Sequence, residues 1–319
     1  RILYMILFLS FIIIALVVIM ARLNTLKKKR LPRKKESNLR KNRINKKERF
    51  VANNSNNTLI SDEQLKKCND ILVDKNKSCN CFSGDNYEFS DKDILGCVSK
   101  NNSSECSEYN KCKIMFENLM SGAEPDYDPD SWSNPIVEGS HNCYTYFLND
   151  KVPRTKNKCR QLCMKKNKCK SKIKECGRLK PQPGKYASEK TSFKANRRYT
   201  CKDMSEKVLL DSTDYDTNKS VISKTHFAVR CPHNHYKGAL VVDPNNTYHF
   251  YRQDSNGQWS HKQGTHRVEN KDASGKPIFA PHLSDNNYNK KKKKDGINYT
   301  DFCNYMCIPS NGHLDTHAI

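Results

Sequence analysis

The segment HYKGALVVDPNNTYHFYRQDSNGQWSHKQG, residues 235–264, carries the clearest strand and turn pattern of the chain. It opens with a compact apolar run at Gly238–Val242. Residues 243–246, DPNN, follow and favour a turn, because they fix φ or hydrogen-bond locally. An aromatic-rich run over Tyr248–Gln253 comes next, and the pair Asn256-Gly257 then tolerates the positive φ of a tight turn.

A third short segment completes the pattern. Residues 258–262 follow the second turn, so we predict an antiparallel β meander over residues 236–262. Side chains alternate between the two faces of a strand, so His249 and Tyr251 should share one face. Trp259 and His261 should likewise share a face of the third strand. The meander therefore carries histidines at regular positions.

Length and composition limit what surrounds the meander. The chain has 319 residues, is 36% hydrophobic and has a mean hydropathy of -0.87, so little apolar material remains beyond the N-terminus. We predict an α+β fold class, with a Cys-rich helical module over residues 59–122 that begins at a capped helix near Ser61. An α+β domain over residues 123–319 contains the meander and a basic, Cys-rich insertion at residues 154–180.

The first segment predicts a transmembrane anchor, residues 1–21. Leu3–Ala21 is almost continuously apolar, and at about 1.5 Å per residue it nearly spans a hydrocarbon core. A secretory signal peptide is the alternative. Its apolar core is usually shorter and a small-residue cleavage site follows it, whereas Arg22 and a basic cluster follow here. We therefore expect a transmembrane helix that contacts a lipid membrane through residues 3–21.

Residues 22–58 predict a basic, disordered linker, because their charges repel one another and cannot be buried. The formal net charge of the chain is +23, and residues 22–49 hold 14 Lys/Arg against two Glu. We expect this tract to contact anionic headgroups or another acidic partner. Nucleic acid is the alternative partner, but no aromatic residue for base stacking lies in the tract. The residues assigned to the membrane surface are Lys27, Lys28, Lys29, Arg30, Arg33, Lys34 and Lys35.

Charge and cysteine content predict different locations for the large domain. Positive charge after the apolar segment predicts the cytoplasmic side, whereas 15 cysteines favour an oxidising location. N-x-S/T sequons would suit a lumenal domain, although an Asn-rich chain also generates them by chance. The sequons considered are those at Asn53, Asn56, Asn76, Asn102, Asn218, Asn245 and Asn298. A large DNA virus with an internal membrane and its own thiol oxidase would reconcile these signals, so we expect a virion inner membrane, with the domain on the cytoplasmic or capsid-facing side.

Most of the cysteines predict disulfides, whose connectivity cannot be read from sequence. Zinc is the competing explanation, but the x3, x5 and x6 spacings that start at Cys159 do not match paired C-x2-C knuckles. We therefore expect no metal and no cofactor. Cys303 and Cys307 lie one helical turn apart, which fits either a core pair or two separate bridges. The disulfide candidates are Cys159, Cys163, Cys169, Cys176, Cys303 and Cys307.

Cys143, in HNCYTYFLND, is the candidate for chemistry. It precedes Tyr144–Leu148, which predicts a short helix, so its thiol would lie at a helix N-terminus, where thiolate is favoured. An imidazole within hydrogen-bonding distance would activate it, and a third polar group would orient that imidazole. The alternative is a half-cystine or a buried thiol, which is common in a chain so rich in cysteine.

The order Cys143, Pro183-Gly184, His235 before the apolar strand and His249 after the next turn resembles the NlpC-type cell-wall hydrolases, which have a papain-like fold. The resemblance implies that Cys143 is the nucleophile, His235 the base and His249 the orienting residue. His261 is an alternative base or orienter. The resemblance covers residues 132–262.

The chain departs from that pattern around the cysteine, where the family has an acid before it and a small residue after it. Here Asn142 and Tyr144 occupy those places. The segments HNCYTYFLN, PQPG and YHFYRQDSNGQWSHKQG together also resemble an uncharacterised protein set of large DNA viruses.

Two functions follow from these observations. The charge, cysteines and apolar segment favour a membrane-anchored, disulfide-stabilised, virion-associated protein, structural or minor capsid, which contacts other virion proteins. The alternative is an active Cys-His thiol hydrolase or acyltransferase that acts on amide or ester bonds of a cell-wall peptide, a lipid or a protein. The position of Cys143 relative to the histidines distinguishes the two.

Overall fold

An antiparallel sheet built on residues 235–264 forms the centre of the structure. The computed structural model describes residues 60–80, 103–165, 174–185, 198–214, 217, 219–291 and 296–310. The strands are β1 (Ser223–Thr225), β2 (His235–Asp243), β3 (Thr247–Gln253), β4 (Trp259–Lys262), β5 (Val268–Glu269) and β6 (Asp301–Pro309). Their order in the sheet is β1-β6-β2-β3-β4-β5, and all neighbours are antiparallel.

Short helices surround this sheet. They are α1 (Asp62–Cys79), α2 (Ser107–Glu117), α3 (Pro129–Trp132), α4 (Pro135–Ser140), α5 (Cys143–Phe147), α6 (Pro153–Lys165), α7 (Lys174–Gly177) and α8 (Cys201–Asp211), with 3-10 turns at Ser104–Cys106, Pro281–Leu283 and Tyr288–Lys291. Helix α1 begins at a capping box, in which Ser61 accepts the N–H of Gln64 and Gln64 accepts the N–H of Ser61. The reciprocal bonds satisfy two N–H groups that a helix start leaves unpaired.

Each face of the sheet has its own hydrophobic core. The face that we call the helix-pair face carries Val241, Tyr251 and Trp259, and helices α1 and α2 cover it with residues such as Leu72 and Phe116. All of these side chains are at least 97% buried. The Cys-rich helices before residue 122 and the sheet after it share this core, and residues 58–319 form one compact unit.

The opposite face, which we call the Cys143 face, carries Leu240, Val242 and Phe250 together with Cys143 and Phe147 of α5. Gly238 of β2 makes the close packing of α5 possible. A Cβ atom at that position would lie 2.3 Å from the Phe147 ring, far inside van der Waals contact.

Strand β6 contains a bulge that directs its two cysteines to opposite faces. Leu240 pairs with Asn304 and Val241 with Phe302, which leaves Cys303 unpaired in the register. In a regular strand Cys303 and Cys307 would share a face, but the extra residue reverses the alternation. Cys303 accordingly bonds Cys201 of α8, and Cys307 bonds Cys231. Of the two arrangements that the sequence allowed, the structure has two separate bridges.

The predicted fold class is wrong in its transmembrane part. In the ranges that the structure describes, no helix combines the length and apolarity needed to cross a membrane. What the structure shows is an α+β arrangement of helices around an antiparallel sheet. The predicted anchor over residues 1–21 and the basic linker over residues 22–58, which includes Lys27 to Lys35, lie outside the described residues.

Candidate functional site

Cys143 is the first residue of α5, and its position is fixed by the residue before it. Asn142 Oδ1 accepts the N–H of Thr145 at 3.2 Å, and Thr145 Oγ1 accepts the N–H of Asn142 at 3.0 Å. The amide Nδ2 of Asn142 also donates to the carbonyl of Pro181 at 2.8 Å. The segments HNCY and PQPG, far apart in sequence, therefore meet at the start of this helix.

A buried carboxylate joins the same two segments from the other side. Asp211 Oδ2 accepts the hydroxyl of Tyr144 at 2.7 Å and the N–H of Gly184 at 2.6 Å. Gly184 has a φ of 89°, a conformation that side chains disfavour, so the last residue of PQPG needs to be glycine. The hydroxyl of Tyr248 donates to the side-chain oxygen of Gln182 and completes the junction.

The thiol of Cys143 is free, buried and protonated at neutral pH. Cys143 is 6% exposed and forms no disulfide. Burial raises the pKa of Cys143 to about 11, and the backbone amides of Phe250 and Tyr144 only partly oppose this. No hydrogen bond joins Cys143 Sγ to an imidazole anywhere in the described part of the chain. The helix start does not produce the thiolate that the sequence predicted.

His249 and His261 form a buried hydrogen-bonded pair on the helix-pair face. His261 Nε2 lies 2.9 Å from the carbonyl of Lys271, so this nitrogen carries the proton and donates. His261 Nδ1 is then an acceptor, and His249 Nε2 donates to it at 3.0 Å. Burial lowers the pKa of His249 well below its usual value and also lowers the pKa of His261. Both rings are therefore neutral near pH 7.

His235 lies at the start of β2, away from the other predicted site residues. It is half-buried, and its Nδ1 lies 3.1 Å from the carbonyl of His233. Two-residue alternation from Ala239 and Val241 places it on the helix-pair side of the strand.

The structure does not assemble the predicted nucleophile, base and orienter. Cys143 packs among the side chains of the Cys143 face, whereas His249 stacks on Tyr299 and contacts Tyr251 on the helix-pair face. His249 and His261 are brought together, but as a closed pair that ends on a backbone carbonyl. The resemblance to NlpC-type hydrolases and to the viral protein set stays a prediction.

Two buried cations, which the sequence reasoning missed, connect the sheet to the helices on the Cys143 face. Arg252 donates to Asp254 Oδ1 from Nε at 3.1 Å and from Nη2 at 2.8 Å, and it lies over the Tyr146 ring at 4.0 Å. Its Nη1 donates to Asn149 Oδ1 at 2.8 Å. Burial raises the pKa of Asp254 to about 6, although Arg252 opposes the shift.

Lys262 is the second buried cation. Its Nζ donates to the carbonyls of Gly264, Glu138 and His141 at 2.8, 3.0 and 3.1 Å. Burial lowers the pKa of Lys262, and together with a smaller contribution from the nearby Lys180 it brings this pKa to about 7. Side chains alternate along a strand, so Lys262 lies on the face opposite His261, and only the burial of both faces of β4 shows that this lysine is enclosed.

The insertion forms a basic hairpin of α6 and α7, joined by the disulfide Cys159–Cys176. Residues 151–185 hold 14 Lys/Arg and one acid, Glu175. Cys163 is buried beside the disulfide, with the three sulfurs within 4.8 Å of one another. Cys169 lies outside the described residues.

The described basic side chains of this hairpin have no acidic partner. No carboxylate of a described residue pairs with Lys156, Lys158, Arg160, Arg178, Lys180 or Lys185. Lysines elsewhere do form ion pairs, for example Lys67 with Glu108 at 3.2 Å and Lys276 with Asp74 at 3.8 Å. The hairpin is therefore a concentration of uncompensated positive charge, which we call the basic hairpin surface.

Disulfides connect each part of the described fold. They are Cys68–Cys112, Cys79–Cys106, Cys159–Cys176, Cys201–Cys303 and Cys231–Cys307. The first two join α1 to α2 and the turn before it, and the last two attach β6 to its surroundings. The prediction of a disulfide-rich protein is confirmed.

Fold and bonds together define a disulfide-stabilised α+β protein. A segment of 47 residues, 15% of the chain, is 55% identical to "Insoluble matrix shell protein 1" from Ruditapes philippinarum and covers 32% of that protein. The chain thus spans about a third of the length of the curated relative that it matches. No protein-family model and no solved structure matches the chain.

Proposed function

We propose that this chain is a structural protein of an oxidising, extracytoplasmic matrix. The observation that carries the proposal is the set of five disulfides among the described residues, which lie in both cores and in the basic hairpin. Such bonds persist where no reducing pool opposes them, and each adds stability that a chain of low hydrophobic content needs.

The partial match supports the same role. The matched relative is named as an insoluble matrix shell protein. The arrangement around Cys143 also favours a structural role over thiol chemistry, because the thiol is buried, has a raised pKa and forms no hydrogen bond to an imidazole.

The basic hairpin surface supports an acidic polymer as the partner. Exposed Lys158 and Arg160 lie on α6, and exposed Arg178 directly follows α7, which the Cys159–Cys176 disulfide joins to α6; the bond therefore holds the three side chains in one region. Uncompensated positive charge attracts a polyanion at long range, and a chain of carboxylates or sulfates would contact several of these side chains at once. The narrower role in a virion layer stays a prediction that rests on the sequence resemblance.

The experiment that tests this proposal maps cysteines in protein isolated from its native source in the presence of an alkylating agent. We expect the ten cysteines of the five pairs to resist alkylation until a reductant is added, and peptide mapping without reductant to recover the five cross-linked peptides. Free alkylation of these cysteines would contradict an oxidising location.

A further inference from the structure

We propose that Asn245, at the tip of the β2–β3 hairpin, is a site of N-linked glycosylation. The inference rests on the proposed function, since the modification occurs on surface positions of proteins in the compartment where disulfides form. The observation behind it is the geometry of the hairpin turn, in which Asn245 is more accessible than the other sequons of the described residues.

The side-chain amide of Asn245 is exposed to solvent, because the turn is held by hydrogen bonds of other groups. Asp243 Oδ1 accepts the backbone N–H of Asn245 at 3.2 Å, and Asp243 Oδ2 accepts Nδ2 of Asn246 at 2.8 Å. The carboxylate thus fixes the turn through its neighbours. Asn245 itself is exposed, and its side chain makes no hydrogen bond to any described residue. A glycan on Nδ2 would therefore displace no contact of the fold.

The residues that follow meet the chemical requirement for the transfer. Asn245, Asn246 and Thr247 form an N-x-T sequon whose middle residue is not proline. Nδ2 of Asn245 would attack C1 of a sugar carried on a lipid pyrophosphate. The C1–N bond forms as the C1–O bond to the pyrophosphate breaks, the lipid pyrophosphate leaves with that electron pair, and the amide proton passes to a base of the transferase.

The sequon at Asn76 does not offer this access. Asn76 lies in α1, and its Oδ1 accepts from Asn80, Tyr109 and Gln258 at 3.0 to 3.3 Å. Donors from the end of α1, from α2 and from the residue before β4 therefore converge on this side chain, and a glycan on its Nδ2 would have to fit among them. We therefore expect Asn76 to stay unmodified in the folded protein.

The sequon at Asn298 is constrained by its neighbours. Asn298 is half-buried, and its N–H donates to Asp243 Oδ2 at 2.9 Å. The next residue, Tyr299, is 7% exposed and stacks on His249 with ring centroids 5.4 Å apart. For residues 298–300 to enter the active site of the transferase, Tyr299 would have to separate from His249.

The test is site-resolved glycan mapping of the full chain directed to the secretory pathway of cultured insect cells. Peptides are treated in heavy-oxygen water with a peptide N-glycosidase, an amidase that hydrolyses the side-chain amide bond, releases the glycosylamine and converts each glycosylated Asn to labelled Asp. We expect labelled Asp at position 245 and unlabelled Asn at positions 76 and 298. Asn245→Gln and Thr247→Ala should each increase the gel mobility of the intact protein by the shift expected for loss of one glycan. Asn76→Gln and Thr300→Ala should leave the mobility unchanged.

The disulfide map of the same sample distinguishes failure of the glycosylation site from failure of the proposed extracytoplasmic role. An unmodified Asn245 in a chain with all five disulfides formed would overturn the glycosylation site and leave the extracytoplasmic role intact. An unmodified Asn245 in a chain whose cysteines are free would overturn both. Modification at Asn298 or Asn76 in place of Asn245 would contradict the geometric argument.

Discussion

Burial decides the chemistry of individual residues here more than position at an element end does. Cys143 begins a helix, a place that usually lowers a thiol pKa, yet removal from water outweighs the few free N–H groups of a five-residue helix. The sequence indicated that Cys143 lies at the start of a short helix. It did not indicate that Tyr248, Phe250 and Phe147 enclose it, because that depends on how α5 packs on the sheet.

The reactivity of Cys143 tests this conclusion. With a pKa of about 11, the folded protein holds roughly 100-fold less thiolate than an unfolded chain at the same pH. We expect iodoacetamide at pH 8 to label Cys143 at least that much more slowly in the folded protein than in guanidinium with the disulfides intact. Fast labelling of the folded protein that Cys143→Ala and His249→Ala both abolish would instead indicate an active thiol.

Two buried lysines predict how stability depends on pH. Burial lowers the pKa of Lys262 to about 7 and that of Lys237 to about 8, against 10.5 as the ordinary value. Between these values and 10.5 the unfolded chain binds more protons than the folded one, so the free energy of unfolding rises with pH. We expect a gain of about 1 to 2 kcal/mol between pH 7 and pH 8.5, measured by urea unfolding with the disulfides intact.

Substitutions separate this effect from other titrations. Lys262→Met should reduce the rise to the smaller part that Lys237 contributes, and it should also destabilise the fold by about 1 to 3 kcal/mol because three carbonyls lose their donor. Lys224→Met, at an exposed position of β1, is the matched control and should leave the pH dependence unchanged. A rise in Lys262→Met as large as that of the unsubstituted protein would show that Lys262 does not cause it.

At the scale of elements, the sequence predicted those strands whose residues alternate and whose turns are short. The 236–262 meander matches β2, β3 and β4 because each strand is bounded by turn residues next to it in sequence. Strand β6 was missed because a bulge breaks the alternation around Cys303 and its partner β2 lies about 60 residues earlier. Pairings between distant segments leave no periodic signal in either segment.

The disulfide at this bulge should stabilise more than the one in the hairpin. Cys201–Cys303 spans 102 residues, whereas Cys159–Cys176 spans 17. Longer loops lose more entropy in the unfolded chain, so Cys201→Ala with Cys303→Ala should cost about 4 to 5 kcal/mol and Cys159→Ala with Cys176→Ala about 3 kcal/mol. Guanidinium unfolding of the two double variants provides the measurement, and the reverse order would contradict the loop argument.

The basic hairpin surface predicts selective loss of binding to an acidic polymer. Charge reversal at Lys158, Arg160 and Arg178 should weaken binding to dextran sulfate by roughly tenfold or more and reduce its salt dependence, because these side chains act together. The matched control reverses the same number of charges at Lys67, Lys202 and Lys276, which already have acidic partners. Titration calorimetry at two salt concentrations compares the two variants, and equal losses would indicate a response to net charge alone.

At the scale of the whole molecule, the helices before residue 122 and the sheet after it depend on one another. Phe116 contacts Phe227 with ring centroids 5.1 Å apart, and Lys237 of β2 reaches through the same core to donate to the carbonyl of Leu119 at 3.2 Å. The sequence suggested a module boundary there, because the cysteine pattern changes, but composition cannot show that one apolar face of the sheet needs the helix pair to cover it.

This shared core predicts that the chain cannot be divided at residue 122. A chain beginning at residue 58 should fold, with a cooperative unfolding transition and dispersed NMR signals. A chain beginning at residue 123 would expose Val241, Tyr251 and Trp259 and leave the ammonium of Lys237 without one of its two acceptors, so we expect aggregation or a loosely packed state that binds a hydrophobic dye. Both chains retain Cys201–Cys303 and Cys231–Cys307, so the comparison isolates the helix pair. A cooperative transition of equal midpoint in the shorter chain would show that the sheet carries its own complete core.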